Sequence, residues 1–114
     1  MLQESFCINL NNKVRNFVIR DKSGIRSIII TKLTTKLPHD FAFWTNLHLR
    51  IVDQKELTLF DQSLSDFLTQ GKTTRAIWLD KQFGVIDHLS IWVYADPEFT
   101  FEVELFYDLH YVSD

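Results

Sequence analysis

Cysteine, glycine and proline are scarce in this chain of 114 residues, which contains one Cys, three Gly and two Pro. The single Cys7 excludes an intramolecular disulfide and predicts a reducing, cytoplasmic environment. We find no linker or low-complexity stretch, so the sequence predicts a single domain over residues 1–114. No apolar run approaches the ~18 residues of a membrane span, and the N-terminal pattern is not that of a signal peptide. We therefore expect no membrane insertion.

The motifs of common enzymes and metal sites are also missing. The four histidines form no HxH or HExxH pattern, no serine stands in GxSxG, and there is no glycine-rich phosphate loop. The chain is acidic overall, with a formal charge of −3, which disfavours nucleic-acid binding. We therefore predict no catalytic residues, no metal and no cofactor, and we favour the binding of another protein over catalysis.

The clearest pattern that is present lies in residues 99–112, FTFEVELFYDLHYV. Every second residue from Phe99 to Tyr111 is apolar or aromatic, whereas most of the residues between them are acidic or polar. Side chains alternate between the two faces of a strand. The pattern therefore predicts an antiparallel strand with one face on the core and the other nearer water.

A second apolar stretch, residues 84–95, precedes this strand, and residues 96–98 between them (Asp-Pro-Glu) are typical of a turn. A three-residue loop sets Val93 opposite Phe101 and keeps the two apolar faces together. The other face of this predicted hairpin is acidic and aromatic. Its candidate partner-binding residues are Trp92, Tyr94, Glu102, Glu104, Asp108 and His110.

The sequence pattern in the first third of the chain predicts a three-stranded meander. Its strands are residues 6–10, 15–19 and 25–35, with turns at Asn11 and at residues 21–24. An N-terminal helix is the alternative, because apolar residues between positions 2 and 18 also occur at helical spacing. Three asparagines in the middle of this segment, Asn9, Asn11 and Asn12, weaken that helix, so the strands are favoured.

The middle of the chain is more ambiguous. Residues 41–53 fit a strand better than a helix, residues 61–70 predict a short helix ended by Gly71, and residues 73–80 predict another strand. Taken together, these patterns predict an α+β domain, with a bent antiparallel sheet of about five to seven strands and one or two helices.

Charge is unevenly distributed along the chain. Residues 1–36 carry seven Lys or Arg against two acids, whereas residues 37–114 carry five against thirteen. Two interpretations are open: the halves pack side by side and their fields partly cancel, or the acidic part forms a patch that attracts a basic partner. We favour the first interpretation for the chain as a whole.

The segment SIWVYADPEFTFEVELFYD resembles the C-terminal hairpin of small bacterial immunity proteins, which neutralise toxin domains. The resemblance covers roughly residues 89–108, and the glycine usual in that hairpin turn is absent here. It implies a cytoplasmic inhibitor that binds a cognate toxin, often a basic nuclease, through an acidic and aromatic face.

Two other classes of function remain open. One is a small-ligand-binding protein or enzyme with an aromatic pocket enclosed by the curved sheet, for which Asp87, His88 and His110 are the candidate polar groups. The other is a structural subunit of a larger assembly. The sequence does not predict an oligomeric state.

Overall fold

The computed structural model describes residues 3–11, 16–20, 24–68, 72–96 and 98–111, and strands dominate it. The eight strands are β1 (Gln3–Asn11), β2 (Asn16–Arg20), β3 (Ile25–His39), β4 (His48–Val52), β5 (Thr58–Ser63), β6 (Thr74–Gly84), β7 (His88–Tyr94) and β8 (Glu102–Tyr111). Helical structure in the described residues is limited to α1 (Phe41–Thr45) and one 3₁₀ turn (Leu64–Phe67). The α+β prediction is therefore wrong, because the protein is mostly β.

The strands form two four-stranded antiparallel sheets instead of one bent sheet. The first sheet has the order β1-β8-β3-β6, and the second has the order β2-β7-β4-β5. Strands that follow one another in the chain mostly belong to different sheets, as in the double-sheet jelly roll. The two sheets face each other across the core.

The predicted hairpin of residues 84–95 and 99–112 does not form. Strand β7 pairs with β2 and β4, whereas β8 pairs with β1 and β3 in the other sheet. Val93 and Phe101 are both buried, but Val93 belongs to the second sheet and Phe101 directly precedes β8 of the first sheet. The apolar alternation correctly predicted that β7 and β8 each bury one face. The prediction that the two strands pair with each other is wrong.

The alternation in β8 is confirmed. Val103, Leu105, Tyr107 and Leu109 are buried, and the residues between them are more exposed. They join one continuous hydrophobic core with residues of both sheets, including Ile30 of β3 and Ile91 of β7. Burial of this shared apolar surface is what holds the two layers together.

In the first third of the chain the strands are confirmed and the meander is wrong. Strand β1 pairs with β8, β2 lies in the second sheet, and β3 sits between β8 and β6. Thr31 is an extra residue in β3 relative to β8, so it forms a bulge. The buried positions of β3 consequently shift from Ile28 and Ile30 to Leu33 and Thr35.

The middle segment is partly helix and partly strand. Asp40 caps α1 by accepting a hydrogen bond from the Phe43 backbone at 3.0 Å, and the chain becomes extended again at His48. The predicted helix of residues 61–70 is wrong, because β5 continues to Ser63 and only a 3₁₀ turn follows. Leu64 of that turn is fully buried. Gly71 lies outside the described residues.

No helix among the described residues is long and apolar enough to cross a membrane.

Candidate protein-binding surface

The six predicted partner-binding residues lie on two different outer faces of the sandwich. Both sets of side chains point away from the core, because they alternate with buried residues of their strands. The second sheet holds Trp92 and Tyr94, and the first sheet holds Glu102, Glu104, Asp108 and His110. The single acidic and aromatic surface expected from the sequence is therefore divided.

The acidic residues of β8 lie beside basic residues of β3. The Lys36 ammonium is 3.5 Å from a Glu102 carboxylate oxygen. Next along the sheet, Lys32 lies between two aromatic rings, with its ammonium 4.7 Å from the centre of Trp78 and 4.8 Å from that of Phe106. The outer face of the first sheet thus carries mixed charge. This pairing favours the interpretation in which the basic and acidic halves of the chain partly cancel.

The outer face of the second sheet is centred on Trp92. This residue lies directly between Arg50 of β4 and Asn16 of β2, and its side chain is 40% exposed. Val18 is its diagonal neighbour on β2 and is 39% exposed. These two exposed apolar side chains, with Arg50 and Ser90, define the Trp92 face.

A groove of about 490 Å³ opens beside Trp92. Trp92 and Arg50 form part of its wall, and Asp53 and Glu56 contribute carboxylates from the loop between β4 and β5. The Arg50 guanidinium donates a hydrogen bond to the Thr58 hydroxyl at 3.2 Å. The groove therefore combines an aromatic ring with acidic groups in a concave site.

The loop that carries these carboxylates is tightly hydrogen-bonded. The Asp53 carboxylate accepts hydrogen bonds from the backbone amides of Lys55 and Leu57, at 2.8 and 2.9 Å. Glu56 has a φ of 62°, in the left-handed region that favours glycine. This loop was not predicted, because residues 41–53 were interpreted as a single strand. The run Asp53, Gln54, Lys55, Glu56 after an apolar strand was an available turn signal.

Replacing Glu56 by Gly is expected to leave the free energy of unfolding unchanged or to raise it by up to about 1 kcal/mol. A non-glycine residue in this conformation costs about 1–2 kcal/mol, and the greater freedom of Gly in the unfolded chain offsets part of the gain. Urea unfolding measures the effect. Lys55→Gly is the control. Lys55 does not have a positive φ, so this substitution should lower the free energy of unfolding. Equal destabilisation by both changes would contradict the expectation.

The side chain of Tyr94, on β7, is held by contacts with residues of β4 and β5. Its ring stacks on His48 of β4 with centroids 5.1 Å apart, and its hydroxyl donates a 2.7 Å hydrogen bond to Asp61 of β5. Desolvation, and then the Asp61 carboxylate, raise the pKa of the Tyr94 hydroxyl. Tyr94 therefore positions the β7 end of the Trp92 face.

Two of the candidate polar groups of the small-ligand alternative, His88 and His110, are not brought together. His88 lies on β7 in the second sheet, whereas Asp108 and His110 lie on β8 in the first. The His88 ring nitrogen is instead 2.7 Å from the carboxylate of Asp87. In the described part of the chain there is no group of three or more His, Cys, Asp or Glu placed to hold a metal ion.

Comparison with known proteins identifies the fold and no family. No protein-family model and no curated protein matches the chain. The core of the Drosophila protein NLP superposes on it with a TM-score of 0.54, at 11% identity and over 99% of each chain. That structure was described as giving insight into pentamer formation and histone binding. The infectious bursal disease virus VP2 subviral particle matches with a TM-score of 0.36 and 14% identity, over 95% of this chain and 30% of that one. The likeness to NLP shows that the two chains share a fold over nearly their whole lengths.

Proposed function

We propose that this protein binds another protein, and that its Trp92 face docks a basic segment of the partner. The observation that carries the proposal is the exposed Trp92 ring beside a groove of about 490 Å³ with two carboxylates. An exposed tryptophan next to a concave site is the kind of side chain that supplies most of the energy of a protein interface.

The chemistry of the groove favours a Lys or Arg side chain of the partner. The face of a Trp ring attracts a cation, and a carboxylate pairs with it. Asp53 and Glu56 line the groove with the single guanidinium of Arg50, which already bonds Thr58, and one Asp53 carboxylate oxygen accepts the two backbone hydrogen bonds of the loop. The formal charge of −3 on the whole chain also favours encounter with a basic protein.

The fold likeness does not identify the partner of this chain. The NLP core, which was described in terms of histone binding, has a similar fold over its whole length. At 11% identity the likeness concerns the fold alone, so the partner of this chain is inferred from the Trp92 face and not from NLP.

The narrower hypothesis of a bacterial immunity protein remains a prediction. In that hypothesis the partner is a basic toxin domain and the complex forms in the cytoplasm. Because β7 and β8 do not pair, its binding surface would be the Trp92 face, and Glu102, Glu104, Asp108 and His110 would lie away from the toxin.

The small-ligand alternative is less favoured by the geometry. Fully buried side chains, including Ile30, Leu105 and Ile91, fill the space between the two sheets. The sheets therefore do not enclose an aromatic pocket among the described residues, and the clefts of about 250–490 Å³ are open at the surface.

Substitution of Trp92 tests the proposal. Wild-type protein and a Trp92→Glu variant would be immobilised at equal density and exposed to lysate of the source organism at low and moderate salt. We expect one stoichiometric basic partner, and we expect the variant to bind it at least about tenfold more weakly, as for an interface hot spot.

Trp78→Glu is the matched control, because Trp78 is 56% exposed on the outer face of the other sheet. We expect the Trp78→Glu variant to bind the partner as tightly as wild type does. Equal binding of the partner by wild type and the Trp92 variant would reject the Trp92 face, and loss of binding in the Trp78 variant alone would move the site to the first sheet.

A further inference from the structure

A second concave site lies on the outer face of the first sheet, where the pairing of β3 with β6 becomes irregular. The two strands pair at Thr34 and Ala76, and the next pair is His39 and Thr74. Four residues of β3 therefore stand against the single residue Arg75 of β6, which widens the space between the strands. A cleft of about 420 Å³ opens at this point. We name it the bulge cleft.

Three cations and one carboxylate line the bulge cleft. Lys32 and Lys36 come from β3, Arg75 from β6 and Glu104 from β8. Thr34 adds a hydroxyl group to the lining. This local excess of positive charge occurs in a chain whose formal charge is −3. The cleft therefore attracts anions, whereas most of the charged groups on this protein repel them.

Lys32 is held in place without a carboxylate. Its half-buried side chain lies between the rings of Trp78 and Phe106, with the ammonium 4.7 and 4.8 Å from the ring centres. Within the described part of the chain, the ion pairs and side-chain hydrogen bonds involve neither Lys32 nor Arg75. Since ring faces stabilise a cation without accepting strong hydrogen bonds, the N–H donors of both groups are available to an anion.

The other two charged groups of the cleft have partners on the same sheet. Lys36 is 3.5 Å from Glu102, but the two side chains are 80% and 60% exposed, so water weakens this pair and leaves Lys36 able to contact an anion. Glu104 accepts a 3.0 Å hydrogen bond from the thiol of Cys7 on β1, which lies on the side of β8 away from β3. Its charge in the cleft is therefore outweighed by the cations.

We propose that the bulge cleft binds the phosphate group of a small molecule. An ammonium, a guanidinium and a hydroxyl converge on one concave site, and a tetrahedral dianion can accept hydrogen bonds from all of them. The volume of the cleft also lies within the range of small-ligand sites. This cleft is on the surface, so it differs from the enclosed aromatic pocket considered above.

A nucleic-acid strand fits this surface less well than a small molecule does. The outward-facing Glu102 and Asp108 of β8 flank the cleft and would repel phosphates that extend beyond it. The inference does not depend on the Trp92 proposal, because the two sites lie on the outer faces of different sheets.

Titration of the full chain with inorganic phosphate at constant ionic strength tests this inference. NMR of the isotope-labelled protein would follow the backbone amide signals. We expect saturable shifts that centre on residues 32–36 and 75–78. Arg75→Gln should weaken phosphate binding at least about tenfold, because it removes a charged hydrogen-bond donor from the cleft.

Lys81→Gln is the matched control, since it removes one positive charge from the same strand roughly 20 Å from Arg75. This control should bind phosphate as wild type does, and so should Trp92→Glu. Glu104→Gln should tighten phosphate binding about threefold or more, because Glu104 is the only carboxylate among the described residues that line the cleft. Misfolding of the variant cannot produce such a gain.

A parallel titration with phenyl phosphate distinguishes two sources of the phosphate group. Tighter binding than inorganic phosphate, with shifts at the exposed Trp78, would support the inference and show that the ligand has an organic part. Equal binding would support it with free phosphate as the ligand.

The absence of saturable shifts in the wild-type protein would overturn the inference. Equal weakening by Arg75→Gln and Lys81→Gln would also overturn it, because binding would then depend on net charge alone. A single-stranded oligonucleotide that bound the same residues more tightly than either phosphate would assign the cleft to nucleic acid instead.

Discussion

Replacing Trp44 by Ala is expected to lower the free energy of unfolding by about 3–5 kcal/mol, a large part of the ~5–15 kcal/mol typical of a domain. Trp44 is fully buried in α1, at the end of the sandwich. Its indole donates a 3.3 Å hydrogen bond to the Thr74 carbonyl of β6, and its ring meets Phe43 edge to face at 5.2 Å. Alanine would leave a cavity and an unsatisfied carbonyl at the junction of α1 and β6.

Urea unfolding followed by circular dichroism measures this loss. Trp78→Ala is the control, since it removes the same atoms from a side chain that is 56% exposed. We expect this control to cost less than about 1 kcal/mol. An equal decrease in the free energy of unfolding in both variants would contradict the expectation that the buried Trp44 contributes more to stability than the exposed Trp78.

Cys7 is expected to react slowly with alkylating agents although it is exposed. Partial desolvation, a 3.0 Å hydrogen bond donated by its thiol to Glu104, and the charge of that carboxylate raise the pKa of Cys7 from 9.0 to about 11. Only the thiolate is nucleophilic, but a thiolate of higher pKa reacts faster. At pH 8 the net effect is about tenfold slower alkylation than for an unperturbed thiol.

The rate of iodoacetamide labelling as a function of pH tests this expectation, because Cys7 is the only thiol in the chain. The profile should rise with a midpoint near 11. Glu104→Gln should lower the pKa of Cys7 and speed labelling at pH 8, whereas Glu56→Gln on the other sheet should not. An unshifted midpoint in the Glu104 variant would exclude Glu104 as a cause.

The raised pKa of Cys7 also gives the direction of a stability change. The folded protein holds the thiol proton more tightly than the unfolded chain does. The contribution of Cys7 to stability is therefore fully present below about pH 9 and is lost as the pH rises towards 11. Glu104→Gln should reduce this part of the alkaline destabilisation.

Local patterns predicted strands well where one face of the strand is buried over its whole length. Strand β8 keeps its alternation from Val103 to Leu109. In β6 only Ile77 and Leu79 are buried, and the predicted bounds of 73–80 missed the end of the strand, which runs over Thr74–Gly84. The helix predicted at residues 61–70 failed for a related reason. Leu64 and Phe67 have helical spacing, but residues 61–63 pair with β4 as the end of β5, and only a 3₁₀ turn follows.

The candidate site was predicted only in part. Trp92 was selected correctly as an outward-facing residue, because it alternates with the buried Ile91 and Val93. The prediction missed Arg50 and Val18, since their approach to Trp92 depends on pairing with β4 and β2. The role of these residues in binding remains a proposal.

The sequence by itself determined which side chains of β7 and β8 face the core, because the two-residue period of a strand is a local property. Only the tertiary structure decided that β7 and β8 belong to different sheets and that their outer faces point in opposite directions. The physical reason is that two arrangements bury the same apolar faces. β7 and β8 can pair as neighbours in one sheet, or they can pack against each other from opposite sheets. The choice between them depends on the distant strands β1, β2, β3 and β4, which supply the backbone hydrogen bonds.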